Sequence, residues 1–161
     1  MKNNLILALL LSSSAVMAAQ PDYTQQIQID ADNLVSVQEN VLTYRNNVVI
    51  TQGSLQMKAD QLEINASAGK GKEVYTATGN PVRYSQLLEN GQPVTAQASE
   101  MRYEPSTRTL TLSGDAELAQ SGSVVKASVI RYNVEKQQLS AESNDSKRVT
   151  TIFTPEEKNN P

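Results

Sequence analysis

The sequence of 161 residues contains no cysteine, no histidine and no tryptophan, and it has a single phenylalanine, Phe153. Without cysteine, no disulfide can stabilise the chain, so the fold must bury enough surface to be stable without one. Without histidine, the usual general base and the common zinc and iron ligands are missing, and no Ser-His-Asp or Cys-His arrangement can form. We therefore predict no enzymatic activity, no metal site and no other cofactor. The interior must be lined mainly by Ile, Leu, Val, Ala and Met.

Long hydrophobic runs are also scarce. One apolar run, from Leu5 to Leu11, follows Lys2 and precedes small residues that end at Ala18. It is shorter than the ~20 residues that span a bilayer, and the pattern is typical of a secretory signal peptide over residues 1–18. The remaining chain is long enough for one domain, predicted over residues 19–154, with a disordered tail over residues 155–161. The 14 basic and 17 acidic residues are scattered, which argues against nucleic acid as a partner.

Turn residues recur at short intervals and separate segments rich in Val, Ile, Thr and Tyr. Four of these turn signals are Arg45-Asn46, Thr78-Gly79, Asn90-Gly91 and Ser113-Gly114. Within the segments, apolar and polar residues alternate, which predicts an all-β chain. Asn90-Gly91 is the strongest hairpin signal, since both residues tolerate the positive φ of a type I′ turn. Ala59, Leu62 and Ala66 have helical spacing, but Ile64 and the glycines that follow favour a strand.

A short motif, Ala-Asp-x-Leu or a variant of it, occurs four times and marks a change in which residues face inward. The copies are Ala31-Asp32-Asn33-Leu34, Ala59-Asp60-Gln61-Leu62, Ala98-Ser99-Glu100-Met101 and Ala127-Ser128-Val129-Ile130. Apolar residues fall at even offsets before the alanine and at odd offsets after it, so a bulge or sharp bend must absorb one residue. The small alanine suits the inside of such a bend, and the Asp or Ser can cap freed backbone N–H groups. Recurrent bends predict a sheet folded over on itself, with about sixteen short antiparallel strands.

Three motifs together resemble the OstA-like family of lipopolysaccharide-transport proteins, the LptA family. They are the Ala-Asp-x-Leu copies, the turn Tyr44-Arg45-Asn46-Asn47-Val48 with its counterpart Ser113-Gly114-Asp115-Ala116, and the Gln52-Gly53-Ser54-Leu55 turn. The order and spacing match over nearly all of the chain after the predicted signal peptide. Three departures are Asn46, where the pattern prefers glycine, Ala98-Ser99 in place of Ala-Asp, and Pro81, which interrupts the Gly79-Asn80 element. Asn46 is compatible, because Asn tolerates left-handed backbone geometry.

The resemblance implies a periplasmic OstA-like β-jelly-roll, or β-taco, with an open apolar groove that binds the acyl chains of lipopolysaccharide. It also implies head-to-tail stacking into a bridge between an inner-membrane partner of the LptC type and the N-terminal domain of an outer-membrane translocon of the LptD type. The inward aliphatic residues predicted to line the groove are Ile27, Ile29, Leu34, Ile50, Leu55, Met57, Leu62, Ile64, Leu110 and Leu112. The alternative is a structural β-repeat protein in which these residues form a dry core.

The terminal segments, Tyr23–Ile29 and 147–153, are predicted to be edge strands that pair between copies, because neither contains a proline. Their predicted interface residues are Tyr23, Gln25, Ile27, Val149, Ile152 and Phe153. The alternative is that loops cover these edges. A third interpretation, a carbohydrate-active enzyme using Glu100 with Glu104 or Asp115 with Glu117, is disfavoured because aromatic residues that stack on sugars are scarce.

Overall fold

The fold is all-β, as predicted. A computed structural model describes residues 20–144 and 146–155, apart from the side chain of Val35, so the predicted signal peptide and all but the first residue of the predicted tail lie outside the described residues. The strands are β1 (Ile27–Asp30), β2 (Asn33–Gln38), β3 (Val41–Gln52), β4 (Leu55–Asn65), β5 (Val74–Leu87), β6 (Pro93–Glu104), β7 (Thr109–Gln120), β8 (Ser123–Asn133), β9 (Gln138–Glu142) and β10 (Thr150–Phe153). A one-turn 3-10 helix, Asp22–Thr24, precedes β1. No helix in this part of the chain is long and apolar enough to cross a membrane.

The ten strands form one antiparallel sheet in the order β1-β3-β4-β5-β6-β7-β8-β10, with β2 also paired to β3 and β9 also paired to β8. Each of the six long strands, β3 to β8, is interrupted near its middle by a shift in register. The structure has ten strands, fewer than the sixteen predicted. Counting the two halves of each long strand separately gives the predicted sixteen, because the bends interrupt the strands without ending them.

The interruptions fold the sheet into two facing layers. The first layer holds β1, β10 and the half-strands 48–52, 55–58, 82–87, 93–97, 116–120 and 123–127; the second holds β2, β9 and 41–45, 61–65, 74–78, 100–104, 109–113 and 129–133. The inward side chains of both layers join in a single buried cluster. We call the line of bulges the spine. The opposite side, where the hairpin turns of the two layers approach each other, is the mouth.

Bends of three kinds lie along the spine, and in β5 the strand continues through a shift in register between Thr78 and Val82. Strands β4, β6 and β8 bend at the predicted motif, and Ala59, Ala98 and Ala127 are all buried inside the bend as expected. Strands β3 and β7 bend at pairs of residues in the left-handed region, with φ of 65° at Asn46 and 80° at Gly114. The turns predicted at Arg45-Asn46, Thr78-Gly79 and Ser113-Gly114 are therefore wrong as chain reversals. A bulge needs the same turn-type residues, and the strand continues through it.

In two of the four copies of the repeated motif, the polar residue bonds to the bulge that faces it. The Asp32 carboxylate accepts a hydrogen bond from the Asn47 side-chain amide at 2.6 Å. The Ser99 hydroxyl donates to the Gly114 carbonyl at 3.3 Å. Only the Ser128 hydroxyl oxygen accepts a backbone N–H among these three, at 3.5 Å. The predicted capping role is thus wrong for Asp32 and Ser99, because the neighbouring strand offers closer partners.

The two terminal strands are shorter than predicted. The first begins at Ile27 rather than Tyr23, because the 3-10 turn takes up the preceding residues: the Gln25 N–H donates to the Asp22 carbonyl at 2.9 Å, and the Thr24 hydroxyl to the Pro21 carbonyl at 2.7 Å. The last begins at Thr150. The hairpin at Asn90-Gly91 is present between β5 and β6, but its turn is not type I′, since only Gly91 of the two has a positive φ, 77°.

Candidate functional site

Two rows of inward side chains run along the spine, one on each layer. Cross-strand register defines them, because residues that face each other on neighbouring strands point to the same side of the sheet. The first-layer row is Ile29, Ile50, Met57, Tyr84, Ala96, Leu118 and Val125. The second-layer row is Leu34, Tyr44, Leu62, Ala77, Met101, Leu112, Ile130 and Ala141. Both rows are largely aliphatic and extend from one edge of the fold to the other.

Two further inward rows run along the mouth and are more polar. The first-layer row is Ile27, Gln52, Leu55, Gln86, Val94 and Gln120. The second-layer row is Val37, Leu42, Ile64, Tyr75, Tyr103, Leu110, Tyr132 and Leu139. The interior therefore changes in character from the spine, which is aliphatic, to the mouth, where tyrosine and glutamine alternate with aliphatic residues.

The structure brings all ten predicted groove residues together on these four rows. Seven of them are buried: Ile50, Leu55, Met57, Leu62, Ile64, Leu110 and Leu112. Ile27 and Ile29 are half-buried, and Leu34 is 54% exposed, because β1 and β2 lie at the edge of the fold. The interior is thus packed with the protein's own side chains. A ligand can enter between the layers only if they part.

Hydrogen bonds join the two layers across the mouth. The Tyr103 hydroxyl on the second layer donates to Gln52 Oε1 on the first at 3.0 Å, and Gln52 Nε2 donates to the Gln25 carbonyl at 3.0 Å. Gln52 is only 3% exposed. Because a buried amide without partners costs about 1–3 kcal/mol, these bonds favour the closed arrangement of the mouth.

Asp22 fastens the 3-10 turn to the tip of the first layer. Its carboxylate accepts hydrogen bonds from the Ser54 N–H at 2.8 Å, the Ser54 hydroxyl at 2.5 Å and Gln86 Nε2 at 2.9 Å. Gln86 Oε1 in turn accepts a bond from the Tyr84 hydroxyl at 2.6 Å. We call this set, Asp22, Gln52, Ser54, Gln86 and Tyr103, the mouth latch.

The second layer holds the same turn from the other side. The guanidinium of Arg108 lies 4.2 Å from the centre of the Tyr23 ring, a cation–π contact, and it also pairs with the Glu135 carboxylate. The hydrogen bond to Glu135 is the main reason that the pKa of Arg108 is raised above its ordinary value. The turn Asp22–Thr24 therefore bridges the tips of both layers. Beside it lies a cleft of about 550 Å³ lined in part by Pro21, Leu88 and Val134.

Burial keeps the interior tyrosines protonated. Removal from water raises the pKa of Tyr103 to about 12 and that of Tyr84 well above its ordinary value, and the nearby Tyr132 and Tyr103 add to the effect on Tyr84. Both hydroxyls therefore remain hydrogen-bond donors across the neutral pH range. The mouth carries neutral donors and acceptors on its inner side, and the carboxylates of Asp22, Glu89 and Glu135 lie at its rim.

Exposed apolar residues collect at the two ends of the fold. One end is formed by β1 and β2, where Leu34 and Val37 are exposed; the other is formed by β9 and β10, where Leu139, Ile152 and Phe153 are exposed, Phe153 by 74%. Val149 directly precedes β10 and is also exposed. In the described residues, each terminal strand pairs on one side only. Tyr23 and Gln25 lie at the mouth instead, so their predicted place on an edge strand is wrong.

Three of the four carboxylates of the catalytic alternative, all except Glu100, form ion pairs on the outer surface. Glu104 pairs with Arg102 at 2.6 Å, Glu117 with Lys126 at 3.0 Å, and Asp115 with Lys147 at 2.5 Å. None of these three carboxylates is on an inward row. Over residues 20–144 and 146–155, no group of three or more acidic residues is placed to hold a metal ion.

The mouth latch is the part of the site that sequence reasoning missed. One signal was available: Gln52 and Gln86 stand two residues after Ile50 and Tyr84, so strand alternation places both polar side chains inward. No comparable signal marks Asp22, because its partners lie 32 and 64 residues away along the chain.

Comparison with known proteins identifies a family and a fold. The profile described as "LptA/(LptD N-terminal domain) LPS transport protein" matches residues 28–138. The chain is 42% identical to the lipopolysaccharide export system protein LptA of Haemophilus influenzae over 150 residues, covering 91% of this chain and 87% of that protein. It is 38% identical to LptA of Escherichia coli K12 over 169 residues, covering 98% of this chain and 91% of that protein.

A solved structure has the same fold. The crystal structure of LptH from Pseudomonas aeruginosa, described as the LptA-homologous periplasmic component of the lipopolysaccharide transport device, superposes with a TM-score of 0.75. The superposition covers 83% of this chain and 99% of LptH at 23% sequence identity. The folded-over sheet with its bulged spine is therefore an architecture that this chain shares with a known structure.

Proposed function

Because the chain belongs to the LptA/(LptD N-terminal domain) family of lipopolysaccharide transport proteins, we propose that it carries lipopolysaccharide through the periplasm with the acyl chains held between its two layers. The family role is transport and not catalysis. One observation carries the proposal: all ten predicted groove residues lie on four inward rows that run unbroken from one edge of the fold to the other. The relative from P. aeruginosa is described as periplasmic, which supports the same compartment here.

Acyl chains suit this interior because their binding exchanges one set of apolar contacts for another. Burying each CH₂ group is worth about 0.8 kcal/mol. When the layers part, aliphatic side chains such as Leu62 and Leu112 lose contacts with the opposite layer and regain them with the lipid. The separate cost of binding is then the opening of the mouth latch. The spine rows carry no charged group that would hold a polar headgroup, so a lipid can shift along them.

Photo-crosslinking tests this arrangement. We expect a benzophenone amino acid at Ile29, which faces inward at the entrance of the first-layer row, to crosslink to lipopolysaccharide. The same probe at Gln28, one residue earlier on β1 and facing outward, is the matched control. A second pair is Leu112 and Thr111 on β7. Equal crosslinking at inward and outward positions would contradict the proposal. No lipid at any of the four would favour a structural protein with a dry core.

We also propose head-to-tail stacking, which strand direction supports. The path from β1 to β10 contains eight strands, and each neighbouring pair is antiparallel, so the two end strands run in opposite directions. A second copy placed beyond β10 therefore presents its β1 in the antiparallel sense, and β9 meets β2 in the same way. Ile27 of the second copy then lies close to Ile152 and Phe153 of the first, and Val149 of the first copy lies at the margin of the contact.

The free ends also suit domains of the same fold in other proteins. The family description itself groups LptA with the N-terminal domain of LptD. We propose that an LptC-type inner-membrane partner and an LptD-type outer-membrane translocon each offer such an edge to one end of the stack. The same antiparallel pairing that joins two copies would join a copy to either partner.

Sedimentation measures the stacking. We expect the average mass of the wild-type chain to rise with concentration and the double variant Ile152→Asp, Phe153→Asp to remain monomeric, because two buried carboxylates would oppose strand pairing. Ser106→Asp, in the exposed turn between β6 and β7, adds one charge away from both ends and should associate as the wild type does. A double variant that stacks normally would show that β10 is not the contact.

A further inference from the structure

The mouth side of the second layer contains a buried hydroxyl that the closed fold does not use. Tyr132 lies on β8 and is 0% exposed. Its hydroxyl has no hydrogen-bond partner among the described residues. The other two buried tyrosines of the interior, Tyr84 and Tyr103, each donate to a glutamine. Leaving a hydroxyl unpaired in an apolar interior costs about 1–3 kcal/mol, and phenylalanine would fill the same space without that cost.

The surroundings of Tyr132 are neutral and polar on one side and aliphatic on the other. On the mouth row its cross-strand neighbours are Leu110 and Leu139. Tyr132 is also close enough to Tyr84 to help raise the pKa of that residue. The Tyr84 and Tyr103 hydroxyls donate hydrogen bonds to glutamines, and their oxygens can still accept a hydrogen bond from a ligand. The Tyr103 and Tyr132 side chains thus belong to the second-layer mouth row, and the Tyr84 hydroxyl, from the first-layer spine row, reaches Gln86 of the first-layer mouth row.

We propose that Tyr132, with Tyr84 and Tyr103, forms a polar subsite that binds the neutral hydrogen-bonding groups of an acylated sugar, the amide, ester and hydroxyl groups near the point where fatty-acyl chains join the sugar. This inference rests on the proposed function and deepens it, because it assigns an orientation to the lipid. The hydrocarbon lies toward the spine and the polar linkages lie at the mouth rows.

Charge favours neutral groups over phosphates at this subsite. No lysine or arginine is on the inward rows, and the carboxylates at the rim would repel an anion. One basic group at the mouth, Arg108, is engaged by Glu135 and by the Tyr23 ring. Phosphates of the lipid would therefore stay outside the mouth, in water, while the acyl linkages reach the tyrosines.

Two synthetic ligands that differ by one hydroxyl test the subsite. We would measure binding of N-(3-hydroxytetradecanoyl)glucosamine and N-tetradecanoylglucosamine by calorimetry. Wild-type protein should bind the hydroxylated ligand roughly five- to tenfold more tightly, the value of one net hydrogen bond. Tyr132→Phe should bind both ligands equally, with no loss of affinity for the unhydroxylated one. Its stability to urea should equal or exceed that of the wild type, which a merely structural hydroxyl would not predict.

Tyr75→Phe is the matched control, because Tyr75 lies on the same row but is partly exposed. Removing the Tyr75 hydroxyl should leave the preference for the hydroxylated ligand unchanged. A Tyr132→Phe protein that keeps the wild-type preference would overturn the subsite, as would a wild type that binds both ligands equally. If the wild type binds neither ligand and also takes up no lipopolysaccharide, the proposed function itself fails. The two failures are therefore distinguishable.

Discussion

The mouth latch predicts how easily the two layers part, and Asp22→Ala perturbs it by releasing the 3-10 turn that bridges the tips of both layers. The substitution removes three hydrogen bonds and leaves the backbone of the 3-10 turn in place. Two of them, from Ser54, are exposed to solvent, so water replaces the carboxylate there at little cost. The third, from Gln86 at 2.9 Å, is partly buried, and Gln86 is only 7% exposed.

The hydrogen bond from Gln86 to Asp22 sets the size of the expected effect on opening. A hydrogen bond to a charged group contributes about 1.5–3 kcal/mol when its partner cannot turn to water. We therefore expect Asp22→Ala to lower the free energy of opening by about 2 kcal/mol. At 1.4 kcal/mol for each factor of ten, the open population rises roughly 30-fold. Asp22→Asn keeps one neutral acceptor and should give a smaller rise, of about fivefold.

Amide hydrogen exchange measures this opening. The N–H groups of Thr24 and Gln25 bond to the carbonyls of Pro21 and Asp22 within the turn, and they exchange when the released turn unfolds, although neither bonds to the Asp22 carboxylate. Their protection should fall about 30-fold in Asp22→Ala. Asp30→Ala is the matched control, because the Asp30 carboxylate accepts an exposed bond from Gln28 on the outer side of β1. A folded Asp22→Ala protein with wild-type protection at both amides would refute the reasoning.

The same variant links opening to transport. If lipid enters through the mouth, a lower cost of opening should raise both the rate of lipopolysaccharide uptake and the apparent affinity, because binding no longer has to break the latch. Faster exchange with unchanged uptake would instead show that the lipid enters at the end of the rows, beside β1 and β2.

Three further predictions concern stability and titration. Gly114→Ala should lower the free energy of unfolding in urea by about 1–2 kcal/mol more than Gly91→Ala. Both glycines have positive φ, but only at Gly114 would the new Cβ clash, lying 2.8 Å from Ser99 Oγ of the facing strand. The pKa of Tyr103 is raised to about 12, so the stability that its protonated hydroxyl contributes is complete below pH 10 and is lost as the pH rises toward 12. Alkaline unfolding, followed together with tyrosinate absorbance, will measure this loss. The Lys147 ammonium lowers the pKa of Asp115, so Lys147→Ala should raise the Asp115 midpoint in an NMR titration toward 3.8.

Local pattern was sufficient to predict the interior. Strand alternation has a period of two, and the change of inward parity at each Ala-Asp or Ala-Ser motif can be read from neighbouring residues alone. Ile29 before the first motif and Leu34 after it were both assigned inward, and both lie on spine rows. The class of fold followed from the same pattern, because a strand whose inward face changes parity must bend.

Long-range contacts limited the rest. The sequence places Asn46 and Gly114 at sharp features of the backbone, but whether such a feature reverses the chain or only bulges depends on the strand that pairs beside it. The mouth latch depends on contacts between residues far apart in sequence, such as Asp22 and Gln86. Pro21 and Thr24 gave a local hint, since proline and threonine favour turns, but alternation alone extended the first strand back to Tyr23.

In the proposed stack, the direction of the rows would let one small domain serve a long transport path. Each inward row crosses the strands, so a lipid that moves from the β1 edge toward the β10 edge meets the same kind of contact at every strand. Antiparallel stacking would place Ile29 of one copy beside Thr151 of the copy before it, since Thr151 faces Val125 at the end of the first-layer spine row. The spine row would then continue from copy to copy. In the proposed stack the latch would repeat once in each copy, and it would set how readily each mouth opens to a sugar while the acyl chains pass along the rows behind it.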